Sequence, residues 1–326
     1  MNAQHLPAGT RYPECLGSPE WDAVVIGGGP AGLQAALMLG RARYRTLVVD
    51  SGSPRNRFAA HMHGVLGNEG AAPAELVARG REEAARYGVQ FIDGVVDRVC
   101  DATPHRLRVT LASSATHETR ALIVASGMSD ELPAIPGLAE RWGATVLHCP
   151  FCHGWEVADR RIGVLAASGT AIHQAQMLRQ WSERVTLFAG ALHPLDPALE
   201  ARLRSRGIEI VTAPVVEISG EGTRIDAVRT EDGGEFAIDA LFTMGGVRLH
   251  DGFLVDLGLT RVEMPFGMGS VLAVDAVGRT SHPRIWAVGN VVNPAANVPM
   301  SIGAGAAAGG AVAGALVEWD FDAAAG

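Results

Sequence analysis

A short apolar run, Asp22-Ala-Val-Val-Ile26, leads without a break into Gly27-Gly-Gly-Pro-Ala-Gly32. The run reads as a buried parallel strand. Leu33–Ala42 reads as a helix and Arg45-Thr-Leu-Val-Val-Asp50 as a second strand. Together they form a βαβ unit, the setting in which a Gly-x-Gly-x-x-Gly turn binds a dinucleotide. Gly27, Gly29 and Gly32 let the backbone turn tightly and approach a pyrophosphate. Pro30 and Ala31 open the helix whose N-terminus stabilises it. Asp50, with Ser51 behind it, ends the second strand where a carboxylate accepts from a ribose hydroxyl. The turn alone leaves NAD and FAD both open.

Composition narrows the class. The 326 residues suit about two domains, and 48% hydrophobic against 19% charged residues excludes disorder as the main state. A net charge of −8 argues against a nucleic-acid partner. All 27 basic residues are arginine, so Schiff-base and P-loop lysine chemistry is excluded. No apolar run of span length is free of charge or Gly/Pro interruption, so no membrane association is expected. The first twenty residues lack an apolar core; they read as an irregular arm without a secretory signal, in a cytoplasmic protein.

Further along, the pattern predicts a helix over 72–88 and strands over Val89–Val99, Leu107–Leu111 and Thr119–Ser126. A Pro-rich connection, Leu132–Gly137, looks like a domain crossover. A second βαβ cycle follows, with strand Arg161–Ala166, helix Thr170–Trp181 and strand Arg184–Phe188. The strand Arg284–Asn290 and a small-residue helix over about Ser301–Trp319 are assigned back to the first unit. The fold class is therefore α/β with two dinucleotide-type domains. Residues 21–130 and 248–326 form the first, and 131–247 are inserted as the second.

Between the two units stands His148-Cys-Pro-Phe-Cys152-His153-Gly154. Four cysteines are too few for a disulfide scaffold, and a Cys-x-x-Cys in an α/β protein reads first as redox chemistry. At a helix start the dipole stabilises one thiolate. A structural zinc would need two more ligands, and residues this crowded cannot all converge on one tetrahedron. No metal is expected. Cys15 and Cys100 read as incidental thiols.

Val124-Ala-Ser126-Gly127 and Ala287-Val-Gly289-Asn290 resemble the two strand-end motifs of two-dinucleotide flavoproteins, which points to FAD; Asn290 stands where an Asp is usual. The whole order of motifs resembles the low-molecular-weight thioredoxin reductases, from about residue 20 to 320. That resemblance implies a Cys149/Cys152 pair reaching the flavin, with Cys152 the flavin-facing thiolate and Cys149 the interchange thiol. It implies His153 as proton carrier, in a position where relatives place an acid. It places Arg55 and His63 beside the cofactor, and Met300 and Ser301 against the flavin pyrimidine. A homodimer is implied by resemblance only.

The departures carry weight. The second Gly-rich position reads Ala166-Ala-Ser168-Gly169-Thr-Ala171, and the stretch directly after Val185–Phe188, Ala189-Gly-Ala-Leu-His-Pro194, holds no arginine. A dianionic 2′-phosphate would go unpaired there, at a cost of roughly 1.5–3 kcal/mol per lost contact. The Cys-Pro-Phe-Cys-His-Gly segment and this degenerate domain look like the dithiol oxidases that close disulfides in gliotoxin-, holomycin- and romidepsin-type natural products with O2 as acceptor. The Arg-only, Ala/Gly-rich composition suits the holomycin type. The expected substrate is a small-molecule dithiol, with H2O2 as co-product. Two other readings remain: a thioredoxin or disulfide reductase fed by NADPH or ferredoxin, and a flavin-binding sensor without turnover.

Overall fold

In the computed structural model, residues 21–265 and 269–325 are described; the N-terminal arm and Cys15 lie outside them. The chain opens with β1 (Trp21–Ile26), α1 (Pro30–Arg41) and β2 (Thr46–Asp50). After a 3-10 turn at Arg55–Phe58 come α2 (Pro73–Ala85), β3 (Gln90–Asp93), β4 (Val96–Thr103), β5 (Arg106–Leu111) and β6 (Thr116–Val124). The sheet order is β3-β2-β1-β6-β5-β4. Strands β3, β2, β1 and β6 run parallel, and β4-β5-β6 is an antiparallel meander. The single strand expected over Val89–Val99 is two strands, β3 and β4, in different parts of this sheet. Gly94 breaks it, its N–H bonding the Asp50 carbonyl at 2.8 Å. Alternating apolar residues cannot report such a change of partner.

The chain leaves this layer through β7 (Met128–Glu131) and builds β8 (Val146–Leu147), the one-turn helix α3 (Pro150–His153), β9 (Ile162–Leu165), α4 (Thr170–Leu178), β10 (Val185–Phe188), α5 (Pro197–Arg204) and β11 (Glu209–Val211). A meander of β12 (Val215–Ser219), β13 (Ala227–Thr230) and β14 (Glu235–Ala237) precedes β15 (Ala240–Thr243). The order β11-β10-β9-β15-β8 makes a second parallel sheet. The return strand β16 (Gly246–Leu249) pairs antiparallel with β7, Leu249 opposite Met128, so the two connections form one ribbon.

After the hairpin β17 (Arg261–Glu263) and β18 (Ser270–Leu272), β19 (Ile285–Ala287) rejoins the first sheet beside Leu122–Val124 of β6. Helix α6 (Val298–Ala325) then lies on α1. It extends past both ends of the expected Ser301–Trp319, because Asn297 caps its start, its Oδ1 accepting from the Met300 amide at 3.1 Å, and no Gly or Pro follows Gly314 before residue 326. By length and hydropathy this helix is sufficient to cross a bilayer, which amends the expectation that no segment is. Its Gly305 and Gly309 nevertheless sit on the α1 backbone. A Cβ on Gly305 would lie 2.1 Å from the Ala31 carbonyl oxygen. Ala308, Val312 and Leu316 are fully buried in the same contact.

Candidate active site

A cavity of about 970 Å³ joins the glycine turn to the dithiol. Its lining includes Gly27, Gly29, Pro30, Ala31, Asp50 and Ser51 at one end. Arg55, His63, Cys149, Cys152 and His153 line it toward the other, and Ser126, Gly127, Gly289, Asn290 and Ser301 line the wall between. Two expected residues do not line it. Gly32 lies behind the wall, where a Cβ would fall 1.9 Å from the Gly27 carbonyl oxygen; its smallness serves helix-to-turn packing. Met300 is half exposed outside the cavity.

The turn end fits a dinucleotide on three counts. A Cβ at Gly29 would meet nothing within 4 Å, so this backbone is open to a ligand where α1 begins. Asp50 is buried at 8% exposure and packs against Gly28, where a Cβ would lie 2.5 Å from Oδ2. The Ser126 hydroxyl is buried and has no hydrogen-bond partner among the described residues, an unmet need that a bound polar group satisfies. Gly127 and Gly289 both have positive φ, +70° and +75°, which puts both strand-end turns out of reach of most side chains. The Asn290 amide nitrogen donates to the carbonyls of Asn293 (3.1 Å) and Ala296 (2.9 Å), leaving its oxygen as the atom able to answer a ligand hydroxyl.

At the other end Cys149 is the N-cap of α3, and the amides of Cys152 and His153 bond its carbonyl at 3.1 and 3.2 Å. Pro150 supplies the first helical position, where a missing N–H costs nothing. Gly154 closes the turn because Trp181 leaves no room for a Cβ, which would lie 2.7 Å from the indole. From α4 the buried Gln174 donates to the His148 carbonyl at 2.6 Å, fixing the peptide before Cys149.

The two thiols are not equivalent. Cys152 donates to Cys149, and with smaller help from nearby amides and Arg55 this draws Cys149 down to about 7. The same bond, together with burial, pushes Cys152 up. In the reduced pair the negative charge therefore rests on Cys149, with Cys152 as its hydrogen-bonded thiol.

Three histidines surround the pair and differ in kind. His148 is drawn down to about 4 by burial and by Arg55, whose Nη2 lies 3.2 Å from its Nε2. Arg55 also grips Asp130 through two bonds, at 2.9 and 2.5 Å. His153 is held below the usual imidazole range by burial, against the opposing pull of Glu156. His63 reaches in from the first layer, its ring 6.4 Å from that of His153. Sequence reasoning named His63 and Arg55 but missed Asp130, Glu69 and Glu156; these carry no local motif and gain meaning only from their partners.

Over the second sheet, at the ends of β9 and β10, lies a smaller cavity of about 380 Å³. Leu165, Ala166, Ala167, Phe188, Pro214 and Val215 line it, and among the described residues no charged side chain does. This lining offers no cation to pair with a 2′-phosphate.

The sequence matches the pyridine nucleotide-disulphide oxidoreductase model over residues 21–309. It is 34% identical to thioredoxin reductase tcpT of Claviceps purpurea, over 79% of this chain and 85% of that protein. It is 30% identical to thioredoxin reductase sirT of Leptosphaeria maculans, over 90% and 93%. Among solved structures the crystal structure of HlmI superposes with a TM-score of 0.89 at 42% identity, covering 94% of this chain and 95% of HlmI. The α/β architecture, the dithiol in the glycine-turn cavity and these likenesses agree: the chain belongs to the pyridine nucleotide-disulphide oxidoreductase family of flavoproteins, among its thioredoxin-reductase-like oxidoreductases.

Proposed function

We infer that this chain is an FAD-dependent dithiol oxidase that forms an intramolecular disulfide in a small molecule, with O2 reduced to H2O2. The observation that carries this reading is the contrast between the two cavities. The large one holds a redox-active Cys-x-x-Cys beside a dinucleotide cradle, whereas the one where NADPH would enter is small and apolar. This contrast favours the thiols as the source of electrons.

The thiol chemistry follows from the side chains. In the oxidised enzyme Cys149 and Cys152 share a disulfide. A substrate thiol gives its proton to neutral His153, and the thiolate attacks Cys149 Sγ. The enzyme S–S bond breaks and Cys152 leaves as a thiolate. Because its acidity is weak, Cys152 needs the proton that His153 now holds. The second substrate thiol loses its proton to His153 and attacks the substrate sulfur of the mixed disulfide. Cys149 departs as a thiolate, a role its low pKa favours. The substrate has lost two electrons and two protons. The enzyme holds the electron pair as a dithiol, one proton on Cys152 and one on His153.

Gly27–Ala31, Asp50, Ser126 and Asn290 are the residues that would hold FAD, which when bound supplies the two-electron acceptor that reoxidises the dithiol and delivers the pair to O2. The test is an anaerobic titration of the purified protein followed by its visible absorption. Dithiothreitol should bleach a flavin spectrum that air restores, and NADPH should not. Rapid bleaching by micromolar NADPH would instead establish a reductase.

A further inference from the structure

His63 belongs to the loop between the 3-10 turn and α2, yet its imidazole faces the segment that carries the dithiol. Its Nδ1 lies 2.7 Å from Oε1 of Glu69, whose Oε2 accepts the Gly64 amide at 2.8 Å. Its Nε2 lies 3.5 Å from Oε1 of Glu156, three residues beyond His153. The two imidazoles meet edge to face at 80° with centroids 6.4 Å apart. Exposure rises along the series: the His63 side chain is 22% accessible, Glu156 36% and Glu69 64%. A graded row of proton-binding groups thus runs from the dithiol to water and crosses from one layer of the protein to the other.

The thiol chemistry needs such a row. Each exchange leaves a proton on His153, a half-buried ring whose surroundings disfavour its charge. We propose that His63, oriented by Glu69, is the second proton carrier of this site and discharges His153 to solvent. The transfer moves one proton and no electrons: imidazolium at His153 and imidazole at His63 exchange states, across the gap that Glu156 spans, and Glu69 marks the exit. Among the described residues, the charged and titratable groups facing His63 are Glu69 on its own loop and His153 and Glu156 across from it; the two carboxylates balance the charge in transit. Glu69 is itself held below the usual carboxylate range, chiefly by the His63 bond, so it remains an anion able to orient the ring. The direction of flow rests on the dithiol-oxidase reading.

The experiment uses the flavin-loaded protein and the variants His63→Gln and His63→Ala, with dithiothreitol as substrate, from pH 6 to 9. Glutamine keeps a polar group in place and cannot carry a proton. Both variants should lower kcat about tenfold or more near neutrality with KM unchanged, and the deficit should shrink toward pH 9. Added imidazole should restore His63→Ala. A pH-independent loss without imidazole rescue, or no loss at all, would assign His63 a structural role and overturn the proposal. A second measurement separates this outcome from failure of the oxidase reading. Oxidised protein mixed anaerobically with dithiothreitol and quenched with an alkylating agent reports thiol exchange without oxygen. If wild type exchanges but does not consume O2, the oxidase reading fails. The relay still stands or falls on whether the His63 variants slow that exchange with the same pH dependence and rescue.

Discussion

The guanidinium of Arg55 and the imidazole of His148 are locked to each other, Nη2 to Nε2 at 3.2 Å, directly before the first active-site cysteine. Arginine has donors only, so this contact requires a lone pair on His148 Nε2. His148 is thereby fixed as a neutral ring with its proton on Nδ1. Arg55 is fixed in turn by Asp130 and by the Pro294 carbonyl at 2.9 Å. One cation therefore ties the 3-10 turn, β7 and the loop before α6 to the dithiol segment. It places positive charge where a thiolate forms and removes His148 from the candidates for moving protons near neutrality.

A pH dependence of stability follows from the same lock. The folded pKa of His148 is about 4, against an unfolded value of about 6.5. Between these values the unfolded chain binds the extra proton, so acid favours unfolding. The stability tied to a neutral His148 should be complete above about pH 6.5 and be lost as pH falls toward 4. Urea midpoints at pH 7 and pH 5 should differ more for wild type than for His148→Gln, which holds the Arg55 contact through its amide oxygen without titrating. Equal differences for the two proteins would mean that His148 is protonated in the fold.

The thiol asymmetry is also measurable. In the reduced protein, iodoacetamide should modify Cys149 first, with a rate that rises through an apparent pKa of about 7. Cys152, held as a thiol, should react later and at higher pH. Peptide mapping after brief alkylation at pH 7 identifies the labelled sulfur. Preferential labelling of Cys152 would place the resting thiolate on the flavin-facing sulfur that family resemblance implies.

The parts of this molecule legible in the sequence are those set by local constraint. Gly27–Gly32 between two apolar strands admits one kind of turn, and the cysteine spacing admits few chemistries. The parallel strands of both sheets follow from the repeated βαβ pattern. What stayed hidden depends on pairing at long range. Arg55, Asp130 and His148 are separated by 75 and 93 residues from the first to each of the others, and nothing in Asp130's neighbourhood marks it. Glu69 and Glu156 are ordinary acids in sequence; Glu69 pairs with His63 within one loop, and Glu156 reaches the same ring only because two layers meet. The Val89–Val99 run hid a change of strand partner, and Met300 beside Ser301 shared its motif but not its burial.

Two glycines of the same turn should fail differently. Gly32→Ala forces a Cβ to within 1.9 Å of the Gly27 carbonyl oxygen, a backbone atom that cannot yield without moving the turn. It should cost ~3 kcal/mol or more of stability, the upper range for overpacking. Gly29→Ala meets nothing within 4 Å and has an ordinary φ of −76°. It should fold with unchanged stability and lose bound flavin, because its methyl group enters the space the cofactor needs. Thermal melts and the ratio of visible to protein absorbance separate the two. A Gly29→Ala protein that keeps a full complement of flavin would move the cofactor away from this turn.

His153 carries the prediction on which the mechanism turns. Its ring follows Cys152, is held neutral by burial, and has Glu156 and His63 within electrostatic reach. A neutral imidazole beside a disulfide is equipped to take a thiol proton and return it to Cys152. General acid–base help of this kind is worth roughly 10²–10⁴ in rate, so His153→Ala should lose that much turnover at pH 7 while keeping its flavin. The loss should shrink as pH rises, because substrate thiols with a reference pKa of about 8.5 then ionise unaided. A purely structural His153 would behave otherwise: it closes the α3 turn, and its removal would lower the melting temperature and leave the shape of the pH–rate profile intact. Turnover of a small dithiol from pH 6 to 9, measured beside thermal melts of both proteins, decides between them. An unchanged rate and profile would remove His153 from the reaction and, with His148 locked by Arg55, leave His63 as the next histidine to test.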